Sequence, residues 1–166
     1  MIIAETDRLI LRQLEAKDVQ ALFLLNSIPE ILTYIPGEPM TSVDQAEQIF
    51  SDVIVANYQE FGYGRWAVEH KADKKVIGYC GPKYINQFKQ VELGYRYLPQ
   101  YWGQGYGSEA GKAALESFPD FGVHEAIALI LLGNKGSENL VKKLGMEQQN
   151  RDSFMGHKVN VFHKHL

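Results

Sequence analysis

Hydrophobic and polar residues alternate through the middle of the chain, from Gly64 to Leu98. An alternation of period two is typical of half-buried strands, because successive side chains of a strand point to opposite faces of the sheet. Two polar turns, at residues 71–75 and 86–87, divide the alternating region into three runs. The pattern predicts a three-stranded antiparallel meander over residues 64–98.

The residues before the meander show the spacing of helices. Leu9, Ile10 and Leu11 predict one short strand, and residues 15–26 carry hydrophobic side chains at helical intervals. Ser42 with Gln45 three residues later is the signature of a capping box at the start of a second helix. We therefore expect one strand and two helical segments ahead of the meander.

Helices and strands alternate after the meander. A helix is predicted to begin near Ser108, an apolar strand covers residues 125–132, and a second helix covers residues 135–144, where Gly145 ends it. Residues 146–166 supply a last hairpin. Together these elements predict an α/β (α+β) fold with a mixed, mostly antiparallel sheet of six or seven strands and helices on both faces.

Composition and charge narrow the class of protein. The 166 residues are 45% hydrophobic, which suits a single domain spanning residues 1–166, and the net charge of −3 without a basic run argues against nucleic acid as a partner. Cys80 is the one cysteine, so no internal disulfide forms and the cytoplasm is the expected location. The N-terminus lacks a secretion signal, and no apolar run reaches the about 18 residues of a membrane span.

A glycine turn, residues 103–107, lies between the third strand of the meander and the next helix. Glycines let backbone N–H groups approach a ligand closely, and a helix N-terminus adds partial positive charge, so a phosphate is the expected ligand. The turn matches neither the P-loop pattern nor the G-x-G-x-x-G spacing and position of a dinucleotide-binding fold. A tight structural turn remains the alternative to a binding site.

Four blocks of sequence, in order, resemble the GNAT acyltransferases, and in particular the branch that includes the bacterial ribosomal-protein N-acetyltransferases. The blocks are Thr6–Arg12, Glu92–Tyr95, Tyr101–Tyr106, and Asn134–Ser137 continuing to Lys143–Met146. The resemblance implies transfer of an acetyl group from acetyl-CoA to an amine, without a metal, and a sheet that splays between its fourth and fifth strands to admit the cofactor. Homodimers are common among such enzymes.

The resemblance also implies a set of cofactor-binding residues. It assigns the pyrophosphate to a run of backbone amides, the pantetheine amides to a strand edge, and the pantetheine arm and sulfur end to the next strand–helix junction. The backbone amides are those of Gly103, Gln104, Gly105, Gly107 and Ser108. The strand edge is at Tyr97 and Leu98, and the strand–helix junction carries Asn134 and Ser137. Helix capping is the alternative role of Asn134.

Candidate catalytic groups follow from the chemistry of amine acetylation. A protonated amine must lose a proton before it attacks a thioester, and Glu92 is the first candidate for the base. A solvated strand residue that shares a face with Arg96 is the alternative role of Glu92. Val141 stands where many relatives carry a tyrosine that protonates the leaving thiolate, so either Ser137 or a water replaces that tyrosine or the thiolate leaves unprotonated. The missing acid keeps open a second interpretation, an idle acetyl-CoA-binding sensor or protein-interaction module. A nucleotide-binding Rossmann domain is disfavoured because the meander precedes the glycine turn.

Several residues have structural roles as alternatives to functional ones. Tyr34, Trp66 and Tyr84 are candidates for the wall of an acceptor pocket, because cationic amines are attracted to aromatic faces, although core packing is the better explanation for any one of them. Cys80 in an apolar strand suits core packing better than acyl transfer. His163 and His165 have a spacing that permits metal binding, but we expect no metal. The acceptor itself is expected to be a peptide N-terminal α-amine or a small-molecule amine.

Overall fold

The computed structural model describes all 166 residues and contains one eight-stranded sheet. Its strands are β1 (Ile2–Glu5), β2 (Leu9–Gln13), β3 (Trp66–His70), β4 (Lys75–Ile85), β5 (Gln90–Tyr97), β6 (Glu125–Leu131), β7 (Glu147–Phe154) and β8 (His157–His165). Its α-helices are α1 (Val19–Leu25), α2 (Pro29–Leu32), α3 (Val43–Ile49), α4 (Ala56–Phe61), α5 (Tyr106–Ser117) and α6 (Lys135–Lys143). None of these helices has the length and apolar character to cross a membrane.

The strands follow the order β1-β2-β3-β4-β5-β6-β8-β7. Every neighbouring pair is antiparallel except β5 and β6, which are parallel and are joined at a single register position, Glu92 opposite Ile127. Beyond this position β5 and β6 separate. The mixed, mostly antiparallel sheet and its splay are therefore confirmed, and the splayed strands are the fourth and fifth of those predicted from the sequence.

The sheet has eight strands where the pattern predicts six or seven. The additional strand is β1, which pairs with β2 through a register shift between Ile2 and Ala4. Four residues at a sheet edge, with Ile2 exposed, carry too little alternation for a pattern-based prediction. The meander over β3, β4 and β5 and the final hairpin of β7 and β8 are confirmed.

Helices cover both faces of the sheet. On one face α5 packs over a core in which Leu9, Trp66, Phe118 and Phe162 are fully buried. The small residues of α5, Ala110 and Ala114 among them, are also fully buried, which lets this helix lie close to the strands. On the other face α1, α2 and α3 bury a smaller cluster against β4.

Helix α3 begins directly after Ser42, as predicted, but two details of the helix N-termini differ from the prediction. Ser42 precedes α3, but its side chain makes no capping bond, and Gln45 instead accepts a hydrogen bond from the backbone N–H of Thr41. Helix α5 begins at Tyr106, two residues before Ser108, because Gly105 adopts a left-handed φ of 84° and serves as the N-cap. The second difference brings the glycine turn directly against the helix N-terminus.

Candidate active site

A cleft of about 1040 Å³ opens where β5 and β6 separate. Its lining comes from four parts of the chain, which are the helical segment from α1 to α4, strands β4 and β5, the glycine turn with the start of α5, and the region from β6 to α6. The tip of the hairpin between β7 and β8, with Phe154 and Met155, also contributes. Segments far apart in sequence therefore share one cavity.

The glycine turn forms a cradle of unpaired backbone donors at one end of the cleft. None of the backbone N–H groups of residues 103–108 donates a hydrogen bond within the protein, and the first that does is that of Glu109, to the carbonyl of Gly105. Gly103 and Gly105 have φ angles of 72° and 84°, which favour glycine. Free amides at the start of a twelve-residue helix fit a pyrophosphate. Predicted residues Gly103, Gln104, Gly105, Gly107 and Ser108 thus lie together.

Arg8 supports this cradle from the loop between β1 and β2. Its Nη1 donates to the carbonyl of Gln104 at 2.9 Å, its Nε donates to Glu109 Oε1 at 2.8 Å, and its guanidinium lies 4.1 Å from the centroid of the Tyr106 ring. Thr6 Oγ1 donates to the same carboxylate at 2.5 Å. The role of Arg8 was not predicted, although the Thr6–Arg12 block that contains it is one of the four similar blocks.

The edge of β5 toward the splay presents the backbone of Tyr95 and Tyr97. Leu98 donates its N–H to the carbonyl of Ile77 on β4. Successive residues of a strand point their backbone N–H and carbonyl groups to opposite edges, so those of Tyr95 and Tyr97 point away from β4. The Leu98 carbonyl accepts the N–H of Tyr101, so Leu98, predicted to bind pantetheine, has both backbone groups occupied. Trp102 donates its indole N–H to the carbonyl of Tyr97 at 2.8 Å. Tyr95 and the N–H of Tyr97 are the free part of this edge.

Two hydroxyls meet beside the splayed edge. Ser137 Oγ and Tyr95 Oη lie 2.9 Å apart, and both side chains line the cleft. Burial raises the pKa of Tyr95, so its hydroxyl is protonated at neutral pH. Asn134 caps α6 by accepting the N–H of Ser137 at 3.3 Å, the capping role foreseen as its alternative, and it also lines the cleft. Val141 on α6 is fully buried and offers no hydroxyl, whereas Tyr95 brings one from strand β5.

Glu92 lies on the floor of the cleft in an ion pair with Arg65. Arg65 Nη2 donates to Glu92 Oε1 at 2.5 Å, and the two side chains are only 13% and 12% exposed. Arg65 Nη1 also donates to the carbonyl of Gly81 at 2.6 Å. Gly94 leaves the necessary room, because a Cβ at that position would lie 2.3 Å from Arg65 Nη2. Glu92 is therefore oriented by a side chain that the sequence did not connect to it.

The three aromatic residues predicted for the acceptor pocket have different surroundings. Tyr34 lines the cleft and is 42% exposed. Trp66 is fully buried in the core beneath α5, with its ring against Phe118 and Phe121, so it does not reach the cleft. Tyr84 also lies outside the cleft and packs on Phe61. Trp66 and Tyr84 were wrong as pocket residues, because period-two alternation does not say which face of the sheet carries the site.

Two features mentioned as alternatives lie outside the cleft lining. Cys80 is completely buried, and burial raises the pKa of its thiol to about 12, so it remains a core thiol. His163 and His165 lie on β8 beside Glu125, whose Oε2 is 3.3 Å from His163 Nε2. The donor atoms of all three side chains fall within 4.8 Å of one another, at the end of β6 opposite to the splay.

A family model for the acetyltransferase (GNAT) domain matches residues 8–147 of this sequence. The chain belongs to the GNAT acetyltransferase family. The match extends from Arg8, which supports the cradle, to the start of β7, and so includes every segment of the cleft except the final hairpin. The protein is an acetyl-CoA-dependent N-acetyltransferase, as the resemblance implied.

Individual relatives agree with this assignment. An uncharacterized N-acetyltransferase, YoaA of Bacillus subtilis, is 34% identical over 149 residues, which cover 89% of this chain and 84% of YoaA. Spermidine N(1)-acetyltransferase of Vibrio cholerae is 27% identical over 157 residues, covering 93% and 84% of the two chains. The fold of RimL, a ribosomal L7/L12 α-N-protein acetyltransferase solved with coenzyme A, matches with a TM-score of 0.85 at 18% identity, covering 100% and 98%.

Proposed function

We propose that this GNAT enzyme transfers the acetyl group of acetyl-CoA directly to a primary amine, with both substrates bound in the same cleft. The acceptor is a peptide N-terminal α-amine or a small-molecule amine. Among relatives, the spermidine N(1)-acetyltransferase and RimL are named for acceptors of these two kinds. The cradle of unpaired amides at residues 103–108 carries the proposal, because it supplies the donors that a pyrophosphate requires at the end of a cleft of sufficient size.

The residues present fit the cofactor along its length. The amides of Gly103, Gln104, Gly105, Gly107 and Ser108 would hold the pyrophosphate. The splayed edge at Tyr95 and Tyr97 would pair with the pantetheine amides, and Asn134 with Ser137 would lie near the sulfur end. When bound, acetyl-CoA supplies a thioester whose carbonyl carbon is open to attack by an amine.

Glu92 is the residue we propose to remove a proton from the acceptor amine, directly or through a water. Its Oε1 is held by Arg65, and no protein donor bonds to its Oε2. The ion pair therefore orients the carboxylate toward the cleft, while one oxygen remains available to accept a proton. Proton removal of this kind contributes about 10²–10⁴-fold to the rate of a reaction.

Ser137 and Tyr95 are the residues we propose for the leaving thiolate. As the C–N bond forms and the C–S bond breaks, negative charge collects on sulfur, and a hydroxyl close to it supplies a hydrogen bond and a proton. The pair of hydroxyls, 2.9 Å apart, provides such a donor without the tyrosine that Val141 replaces. Ser137 is the residue expected from the resemblance, and Tyr95 is added because of its contact with Ser137.

The experiment that tests this proposal is calorimetric titration of acetyl-CoA, coenzyme A and ATP into wild type and two variants at Gly103. The left-handed φ of 72° at Gly103 is tolerated best by Asn and Asp, and a side chain there meets no atom within 4 Å. Gly103→Asp places a carboxylate at the cradle, and Gly103→Asn is its neutral match. We expect Asp to weaken coenzyme A binding by about tenfold or more and Asn by about threefold at most.

Selective binding of the two CoA compounds, reduced much more by Asp than by Asn, would support the proposal and would be followed by a screen of amine acceptors. Equal binding of ATP, or a coenzyme A affinity that is the same in both variants, would contradict it. Circular dichroism of both variants checks that α5 remains folded, since a change confined to the loop leaves helical content unaltered.

A further inference from the structure

The floor of the cleft carries more positive than negative charge where the acceptor must enter. Five charged residues line the cleft: Glu30, Arg65, Lys83, Glu92 and Arg96. Only one of the three cations has a carboxylate partner, because Arg65 is paired with Glu92. Glu30 is exposed on α2. Two cations therefore remain without a carboxylate.

Lys83 is the first of these cations. It is half-buried on β4, directly opposite Glu92 on β5, yet no carboxylate lies within 4 Å of its Nζ and no hydrogen-bond acceptor contacts it. Burial and the charge of Arg65 lower the pKa of Lys83, since both disfavour the ammonium form. A bound anion would relieve that cost.

Arg96 is the second cation. Its Nη1 donates to Asn26 Oδ1 at 2.7 Å, and its guanidinium lies 5.1 Å from the centroid of the Tyr79 ring. Its Nε is buried and has no hydrogen-bond partner. A buried N–H without an acceptor is costly, and arginine binds carboxylates through paired N–H groups. Neutral partners thus hold Arg96 in place and leave donors for an anion.

Lys83 and Arg96 both lie near the point where β5 and β6 separate, which is where we expect the reaction to occur. Strand β5 leaves β6 after Glu92, and Gly94 is the next residue on the same face. Lys83 lies directly opposite Glu92 on the neighbouring strand, and Arg96 lies two residues beyond Gly94, about 7 Å along β5 by the rise of a strand. An amine brought to this point with no acidic group of its own would meet an excess of positive charge.

We propose that Lys83 and Arg96 bind a carboxylate of the acceptor, so that the substrate is a primary amine that also carries a carboxylate a few bonds away. An amino acid and a peptide with an acidic N-terminal residue both have this chemistry, whereas a polyamine does not. This inference rests on the proposed function and specifies its acceptor. Specificity follows because a site built around unpaired donors rejects an analogue that leaves them unpaired.

The test compares acceptors that have the same shape and differ only in carboxylates. Glutamate, glutamine, isoglutamine and glutaminamide form one series, with two, one, one and no carboxylates, and two C-terminally amidated tetrapeptides that begin with Asp or Asn form a peptide pair. Spermidine represents the polyamines. We expect kcat/KM for the best carboxylate-bearing acceptor to exceed that for its neutral match, and for spermidine, by about tenfold or more.

Variants at Lys83 connect that preference to the structure. Lys83→Gln should reduce the preference to about threefold or less, Lys83→Arg should retain most of it, and the affinity for acetyl-CoA should not change in either variant. Lys112→Gln, on the exposed face of α5, is the matched control and should behave as wild type.

Three results would overturn the inference while leaving the proposed function intact. They are equal use of neutral and carboxylate-bearing acceptors, a preference for spermidine, and binding of acetyl-CoA without acetylation of any carboxylate-bearing acceptor. A preference confined to the peptides or to the free amino acids would support the inference and identify the source of the carboxylate. If acetyl-CoA itself did not bind, the proposed function would fail and this inference with it.

Discussion

The two halves of the cleft are built from different kinds of atoms. The half that we propose binds the cofactor, called here the cofactor half, consists of backbone groups, namely the unpaired amides of residues 103–108 and the free edge of β5 at Tyr95 and Tyr97. The half that we propose binds the acceptor, called here the acceptor half, consists of side chains on the sheet floor, Arg65, Lys83, Glu92 and Arg96. The first depends on the conformation of one short stretch, and the second depends on the register of three strands.

This difference predicts how each half responds to mutation. A backbone site is sensitive to residues that hold its conformation, and damage to it should appear as weaker cofactor binding. A side-chain site is sensitive to the loss of a charge or a proton acceptor, and damage to it should appear in turnover or in the choice of acceptor. Four tests examine these expectations, and the expected effect decreases from the first to the last.

Glu92→Gln tests the acceptor half and should have the largest effect. Glutamine can still accept the hydrogen bond from Arg65 but cannot take a proton from the amine, so we expect kcat to fall by about 100-fold while the Kd for acetyl-CoA stays within about twofold. Initial-rate assays measure kcat, and calorimetry measures the Kd for acetyl-CoA.

The pH profile of kcat/KM distinguishes a base from a residue that only positions Arg65. A base contributes a limb to the profile that disappears in Glu92→Gln, whereas a positioning residue lowers the rate at every pH and leaves the shape unchanged. Glu116→Gln, an exposed carboxylate on α5, is the control. A normal kcat in Glu92→Gln would remove Glu92 from the mechanism.

Arg8→Ala tests the cofactor half. Without the bonds from Arg8 to the Gln104 carbonyl and to Glu109, the cradle loses the contacts that fix its conformation. We expect the Kd for acetyl-CoA to rise about tenfold and kcat to change by about twofold at most. Arg151→Ala, on exposed strand β7, should have no effect on either quantity. A loss of kcat without a loss of affinity would show that the two halves are not separable in this way.

Tyr95→Phe tests the junction between the halves, because the backbone of Tyr95 belongs to the cofactor half and its hydroxyl belongs to the acceptor half. Loss of the hydroxyl should lower kcat by about three- to tenfold with acetyl-CoA affinity unchanged. Ser137→Ala should have a similar effect. Since the two hydroxyls act as a hydrogen-bonded unit, the double variant should be little worse than either single one. Fully additive losses in kcat would indicate that they act independently.

Glu109→Gln should give the smallest effect, on the stability of the cradle. Burial opposes the charge of Glu109, but hydrogen bonds from Thr6 and Arg8 outweigh it, and the pKa lies below the ordinary value of 4.5. A lowered folded-state pKa stabilises the fold above the unfolded-state pKa, and this contribution is lost as the pH falls through the folded-state pKa. We expect the variant to be about 0.5–1 kcal/mol less stable than wild type at pH 7.

Urea unfolding at pH 7 and at acid pH measures this contribution. The difference in unfolding free energy between wild type and Glu109→Gln should shrink below about pH 4.5, because protonation then removes the same charge that the substitution removes. A difference that is constant with pH would mean that packing, not charge, accounts for the stability change.

Most of the strands, the helices after the meander and the glycine turn that we assign to the cofactor could be predicted from the sequence alone. Alternation defined β3, β4 and β5, and the glycine turn kept its place between a strand and a helix, because a backbone site needs only the local conformation that glycines permit. The short edge strand β1 escaped detection, since four residues carry almost no periodic signal.

The side chains that we assign to the acceptor are brought together only in the folded sheet. Arg65 lies 27 residues before Glu92, and nothing in the local pattern links them; the register of β3, β4 and β5 and the absence of a side chain at Gly94 bring them together. The same register separates Trp66, which faces the core under α5, from Lys83 and Arg96, which face the cleft. Which face of a strand becomes a site depends on what packs against each face, and that is a property of the folded sheet.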